Sequence, residues 1–569
     1  MLCDLATIMT ILTLRFNKIL SNLYKVPSVV RFKHVWTSDN VVKSPFKDIV
    51  VPELTVDEYV WRNLEKWPTK TAVVCGVTNR SYTYEEIYIQ SRTLATNLIK
   101  KFKLGNGDVI GVMSHNIPEY PIVTFGILAA GGVVTTFNPL YTEYEVCRQI
   151  ELSDVKLMIV HEDYVPVVKE AYKHAKKNIP IIIINIDKPL PENVTRLKEL
   201  VEDDHVDLGI LKQVNRKPSD IAVIPYSSGT TGLPKGVELT NRNLVSNCEQ
   251  QNTDVRQYHY TTETHQDTAL AILPLFHSYG LGIIMLHKMA AGLKLLTLPK
   301  FQPDTFLNSL KVHRTNILFA VPPMVLFLGT SLQVTPEHLA SLRCITIGAA
   351  PLPIADVNKM ISRFQNSNLV ISQGYGMTEA SPLVTLSLPD RTDYESVGYA
   401  IPNIELRVVD ANMKNLGPGQ AGELLIKGPN VMKGYRNNPE ANKEVFVEGG
   451  WYRSGDIANI DDSGLVYITD RLKELIKVKG YQVPPAELEN VLKEHPAVHD
   501  AAVIGVPDNS LGERPKAFIV TMPGAKVGYQ EIIDFVTKRV APYKKIKEVA
   551  FVDNIPKSIS GKILRKMLR

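Results

Sequence analysis

The chain has 569 residues, of which 44% are hydrophobic and 22% charged, with a formal net charge of +5. These are the proportions of a globular chain long enough for several domains and a large core, and they exclude a low-complexity or mainly disordered protein. The five cysteines (Cys3, Cys75, Cys147, Cys248 and Cys344) lie far apart with no CxxC or Cys/His cluster, which argues against a disulfide framework or a structural zinc site and for a reducing compartment. The charge is uneven: residues 471–569 hold 18 Lys and Arg against 11 Asp and Glu, a balance of +7 that suits small polyanions. Nucleic acid is not favoured, because no aromatic-studded basic stripe and no zinc- or RNP-type pattern occurs.

In chain order, residues 1–38 stand apart as a possible targeting or disordered segment. An apolar run at residues 5–14 is too short to span a bilayer, and Arg15, Lys18, Lys25, Arg31 and Lys33 follow with no acid until Asp39. The pattern fits a mitochondrial transit peptide, or equally a tail in peripheral contact with a membrane. A cytoplasmic or peroxisomal location is the alternative, although the terminal KMLR is not an SKL-type tripeptide. From residue 55 short β-rich runs alternate with helical stretches: TAVVCG, DVIGVMS, KLMIVHE and IPIIIIN, then residues 269–273, 317–321 and 344–347. This alternation predicts an α/β fold with largely parallel or mixed sheets over residues 45–470. Past residue 404, IELRVVD, GELLIKG and GLVYITD predict a β-rich subdomain. Residues 471–569, with helices expected near 485–494 and 530–540, read as a small α+β C-terminal domain.

YSSGTTGLPKG (residues 226–236) packs Ser227, Ser228, Thr230 and Thr231 among Gly229, Gly232 and Gly236 and ends on Lys235. Backbone amides opened by glycine, with short hydroxyls, can wrap a phosphate chain, and the lysine adds a point charge. The spacing is not that of a Walker A loop, and the flanks predict two strands followed by a helix N-capped by Thr240. Alone, such a loop is also compatible with an ordinary turn. LPLFHSYGLG (273–282) places His277 between a strand end and an apolar helix; an isolated histidine there is more often a core residue. ITIGAAPLP (345–353) runs a strand into residues small enough for a ligand to approach the backbone. SQGYGMTE (372–379) sets Tyr375 between glycines on an expected loop, where it can stack on a purine, with Thr378 and Glu379 behind it as oxygen donors for phosphate and Mg²⁺. WYRSGDIA (451–458) carries Asp456, and ITDRLKELIKVKGYQVPPAELE (468–489) carries Arg471. PKSISGKILRK (556–566) presents Lys562 on a flexible loop, although a solvated basic tail has the same composition.

Together and in this order, these segments resemble the signature motifs of the adenylate-forming superfamily over residues 45–569. Within it the chain is most similar to the 4-coumarate:CoA ligase, beetle-luciferase and fatty acyl-CoA synthetase branch. Five separated motifs agree, where any one would be weak. The resemblance implies a reaction in two steps. A carboxylic acid attacks Mg·ATP to give acyl-adenylate and pyrophosphate, and coenzyme A then displaces AMP. ATP, Mg²⁺, CoA and a small-molecule acid are the implied partners.

By the resemblance, Lys562, His277 and Thr378 are catalytic, and Thr231 and Glu379 hold the metal. Ser227, Ser228, Gly229, Thr230, Thr231, Gly232 and Lys235 cradle the phosphates. Gly348, Ala349 and Ala350, together with Gln373, Gly374, Tyr375 and Gly376, surround the nucleotide, and Asp456 and Arg471 hold the ribose. Lys477, Lys479 and Gly480 face CoA once the mobile C-terminal domain turns about a hinge matching Lys473. His277, Tyr279, Gly348, Gly374 and Met377 contact the acid; Ser278, Leu281, Ile283 and Val321 complete the expected pocket. That set is mainly apolar, which favours medium- or long-chain fatty acids. A 4-coumarate-type aryl acid ligase and a luciferase-like monooxygenase are the alternatives, and a carrier-protein loader or a silent binding protein ranks below them.

Overall fold

The computed structural model describes residues 35–184, 190, 194–203, 206–227, 234–252, 259, 261–349, 352, 354–364, 369–389, 393–471, 476–483, 485–556, 563 and 565–568. Most of the segment set apart by its charge therefore lies outside the described residues. From residue 35 the chain is packed: Val35 is buried, and the Trp36 indole donates to the Asp461 carbonyl at 2.9 Å. Among the described residues no helix is long and apolar enough to cross a membrane.

Two nine-stranded sheets form the larger body. In the first, Ile221–Ile224, Val133–Phe137, Val109–Met113, Val155–His161, Ile181–Ile184 and Val194–Arg196 run parallel in that order. Its strands read as continuous apolar runs because both faces are covered. Val109 and Met113 point into one core, while Ile110 and Val112, one residue out of step, point into another. In the second sheet Thr71–Cys75, Lys294–Thr297, Thr268–Ala271, Ile317–Ala320, Cys344–Ile347 and Val370–Gly376 are parallel neighbours, and Leu383–Leu386 continues it antiparallel. The helices Tyr84–Phe102 and Glu119–Ala129 contribute to the core shared by both sheets. Thr83 and Glu86 close a capping box that fixes where the first of these helices begins.

The β-rich texture past residue 404 forms a separate antiparallel sheet in which Glu405–Val409, Gly422–Lys427, Trp451–Ile460 and Val466–Arg471 follow one another. The last part of the chain forms a fourth sheet. It is built on the long hairpin Val498–Asp508 with Gly512–Thr521 and flanked by the helices Pro485–Lys493 and Tyr529–Thr537. This C-terminal unit has its own apolar core, with Leu488, Leu492, Val503, Ile519, Ile532 and Val536 at its centre. Residues 472–475, including the hinge position Lys473, lie outside the described residues.

Candidate active site

A cavity of about 1000 Å³ opens between the two large sheets, the antiparallel sheet and the C-terminal unit. One wall is the loop that leaves strand Thr268–Ala271, and a single buried side chain shapes it. The Asn116 amide donates to the carbonyls of Ala271 and Leu273 at 2.8 Å, and its oxygen accepts the Leu275 N–H at 2.9 Å. The Thr136 hydroxyl holds the Phe276 carbonyl at 2.6 Å. His277 is thereby set at the cavity. Its Nδ1 accepts the Tyr279 N–H at 3.3 Å, which leaves the proton on Nε2. The ring is open to the cavity but surrounded by protein. Burial pulls its pKa down, opposed in part by the Glu379 charge, so the imidazole is neutral at neutral pH.

Beyond His277 the chain enters a π-helix over Tyr279–His287 rather than an ordinary α-helix. Gly280 sits where a Cβ would come within 2.1 Å of the Pro274 carbonyl oxygen, so only glycine allows the helix to start so close to its own loop. Tyr279 lines the cavity, donates to the Thr346 carbonyl at 3.1 Å and meets Phe319 edge-on at 6.2 Å. Phe327 and Phe301, also on the wall, meet edge-on at 5.6 Å, with Met324 and Pro323 nearby in the chain.

The polar wall gathers around Glu379. Its Oε1 accepts from the Ser227 hydroxyl at 2.8 Å and from the Tyr435 hydroxyl at 2.9 Å, and Tyr435 in turn contacts Tyr452. Thr378 lies 3.3 Å from Ser278, hydroxyl to hydroxyl. Tyr375 belongs to strand Val370–Gly376 instead of the expected loop, and its hydroxyl donates to Asp456 Oδ2 at 2.7 Å. Asp456 lies within strand Trp451–Ile460, and Arg471 is its backbone neighbour across the sheet.

The fold thus brings Ser227, His277, Tyr279, Gly348, Ala349 and Gly374 to one cavity. Tyr375, Gly376, Met377, Thr378, Glu379 and Asp456 share its wall, as do Ser278, Ile283 and Val321. Lys479 and Gly480 reach the same wall from the C-terminal unit, in a turn where both residues have positive φ (50° and 82°).

Four expected positions are not among the residues that line the cavity. Gln373 turns its amide to the Tyr394 carbonyl, on the opposite side of its strand from Gly374. Leu281 is buried in the core. Lys477 sits in strand Ile476–Val478, off the cavity wall. Lys235 opens strand Lys235–Thr240 with its ammonium 5.1 Å from the Tyr435 ring centre. Ser228, Gly229, Thr230, Thr231, Gly232, Ala350 and Lys562 lie outside the described residues, as does the side chain of Arg471. Sequence reasoning missed Tyr435, Tyr452, Asn116 and Thr136, whose roles depend on partners far away in the chain.

A cavity of this build, at the C-terminal ends of parallel strands and closed by a separate small unit, defines a class. The family model described as AMP-binding enzyme matches residues 60–436, and the one described as AMP-binding enzyme C-terminal domain matches residues 487–562. The chain belongs to this family of adenylate-forming acid–CoA ligases. Among its relatives, 4-coumarate–CoA ligase 1 of Petroselinum crispum is 39% identical over 93% of this chain and 96% of that protein. 4-Coumarate–CoA ligase 3 of Oryza sativa subsp. japonica is 38% identical over 93% and 94%. Among solved structures, an o-succinylbenzoate CoA synthetase (MenE) double mutant from Bacillus subtilis superposes with a TM-score of 0.77 at 26% identity, over 91% of this chain and 99% of that one.

Proposed function

We propose that the protein joins an aryl-propenoic acid of the 4-coumarate type to coenzyme A, through an acyl-adenylate made from ATP. The observation that carries this reading is the aromatic side of the cavity. Tyr279, Phe301 and Phe327 present ring edges and faces to a flat substrate, which suits an aromatic ring better than a flexible chain. The sequence leaned towards fatty acids because no polar anchor for a phenol was legible. The Tyr279 hydroxyl is such an anchor: it donates to the Thr346 carbonyl and keeps lone pairs to accept a phenolic O–H. The relatives described above support the same substrate class. A fatty acid is the second reading, favoured by the aliphatic lining of Ile283, Val321 and Met324.

The chemistry follows from the groups present. The substrate carboxylate and the ATP phosphates repel, so the site must supply donors and positive charge. His277, neutral with its proton on Nε2, offers the carboxylate a hydrogen bond without drawing off its charge. Glu379 and the Thr378 hydroxyl form a hard oxygen set that fits Mg²⁺, which when bound neutralises phosphate charge; Glu379 would hold it. Tyr375, tied to Asp456, gives the nucleotide a rigid wall. Lys562 is the expected source of positive charge in the first step, and the Lys479–Gly480 turn faces the second. The test is CoA-dependent AMP release over a panel of hydroxycinnamic and straight-chain acids. Turnover on hydroxycinnamates above that on C8–C16 acids is expected; the reverse order selects the fatty-acid reading, and no CoA-dependent turnover on any acid overturns both.

A further inference from the structure

Where Tyr543 and Lys544 reach the cavity wall, the C-terminal unit meets the larger body at a buried charge cluster that the chemistry above does not use. The Lys544 ammonium lies 2.7 Å from Glu145 Oε1 and 2.9 Å from Glu487 Oε1, and all three side chains are nearly inaccessible to solvent. Glu487 is on helix Pro485–Lys493 of the same unit as Lys544, whereas Glu145 is on helix Glu143–Ser153 of the larger body. Two neutral contacts flank the cluster. The Thr142 hydroxyl donates to the Arg539 carbonyl at 3.0 Å, and the Asn138 amide donates to the Tyr543 hydroxyl at 2.9 Å. Tyr543 stacks on Tyr481 with ring centres 4.1 Å apart, and Tyr481 directly follows the Lys479–Gly480 turn on the cavity wall.

The cluster is built so that it can part. Stripping one partner from a buried ion pair leaves a stranded charge, which is the costly outcome. Here each side keeps a partner of its own. Glu145 is also the capping carboxylate of its helix, and its Oε2 accepts the Thr142 N–H at 2.9 Å. Lys544 keeps Glu487 within its own unit. With separate apolar cores on either side, the unit can leave and return without either body losing its internal bonds.

We propose that Glu145 and Lys544 are positioning residues for thioester formation: their contact docks the C-terminal unit so that Tyr543 and Tyr481 hold the Lys479–Gly480 turn in the cavity. This rests on the CoA-ligase reading. The two fail differently: a wild-type protein that does not consume supplied acyl-adenylate with CoA refutes the function before any variant is made. The test compares half-reactions in Glu145→Gln, whose amide oxygen still serves the helix cap while the charge is lost. Pyrophosphate exchange should stay within about twofold of wild type, while CoA-dependent consumption of acyl-adenylate falls at least about tenfold, a loss typical of a broken buried charge contact. Lys544→Arg, which keeps the charge, should retain more thioester activity than Lys544→Met. Equal losses in both half-reactions, or no selective loss, overturn the proposal. If Glu145→Gln does not fold, Tyr543→Phe, which removes only the bond to Asn138, carries the same test: a selective loss of the thioester step supports the proposal, and its absence overturns it.

Discussion

Glu379 is a scaffold carboxylate to which the proposed function adds a metal-holding role. Its Oε1 accepts two hydroxyls from distant elements, Ser227 and Tyr435, so a neutral amide at the same place can keep the wall intact while removing the charge. Glu379→Gln should therefore fold with little change in melting temperature yet lose about 10²-fold or more in AMP-forming turnover, the scale seen when one preorganised electrostatic group is removed. Turnover near the wild-type rate would remove Glu379 from the metal site. Lys562→Ala should abolish adenylate formation while sparing thioester formation from supplied acyl-adenylate; equal loss of both would deny it that role. The motif residues that carry hydroxyls, carboxylates and glycine were legible in the sequence because their chemistry is local. Gln373 was not, because its neighbour Gly374 belongs to the same motif but points to the other side of the strand, and a motif does not say which face a residue takes.

At the scale of elements, the loop from Ala271 to Tyr279 is held by Asn116 and Thr136 on two strand ends of the other sheet. Strands and helices were readable from their periodicity, and Thr240 was readable as an N-cap because it bonds only three residues ahead. The bracing of the His277 loop was not readable, because Asn116 acts on residues more than 150 positions away. The π-helix was equally hidden, since its composition is that of any apolar helix. Gly280→Ala is the sharpest probe of this element: its methyl would press on backbone at Pro274, where nothing flexible can yield. A loss of about 1–3 kcal/mol in stability is expected, as for overpacking generally, together with a raised KM for the acid; an unchanged denaturation midpoint would show that the loop can shift.

Across the whole molecule, the pH dependence of stability should carry the mark of one buried lysine. Lys288 follows the π-helix, lies 2.7 Å from His287 Nδ1 and 5.2 Å from the centre of the Phe319 ring, and burial pushes its pKa down to about 7. Cys248 and Cys344 nearby are raised to about 12 and about 11, and His287 is held well below its usual value, so none of these changes charge in the folded protein between pH 7 and 8.5. Over that range the unfolded chain keeps a proton on this lysine that the folded protein has released, and the lysine's contribution to stability therefore rises with pH. Relative to Lys288→Met, which shares the thiols that titrate in the unfolded chain, the wild type should gain about 1–2 kcal/mol from pH 7 to 8.5, read by urea denaturation. Parallel profiles for the wild type and Lys288→Met would mean that the lysine stays charged in the fold.

The separate apolar core of the C-terminal unit also bears on how this chain can fail. A lesion there, such as a charge placed at Val503, would strike a core that shares no buried residue with the larger body. The strands and loops bearing His277, Thr378, Glu379 and Asp456 would survive it. Such a chain would persist in a cell still able to bind nucleotide and acid but, with Lys562 and the Lys479–Gly480 turn displaced, unable to complete either half-reaction. Loss of activity would then not be accompanied by loss of protein.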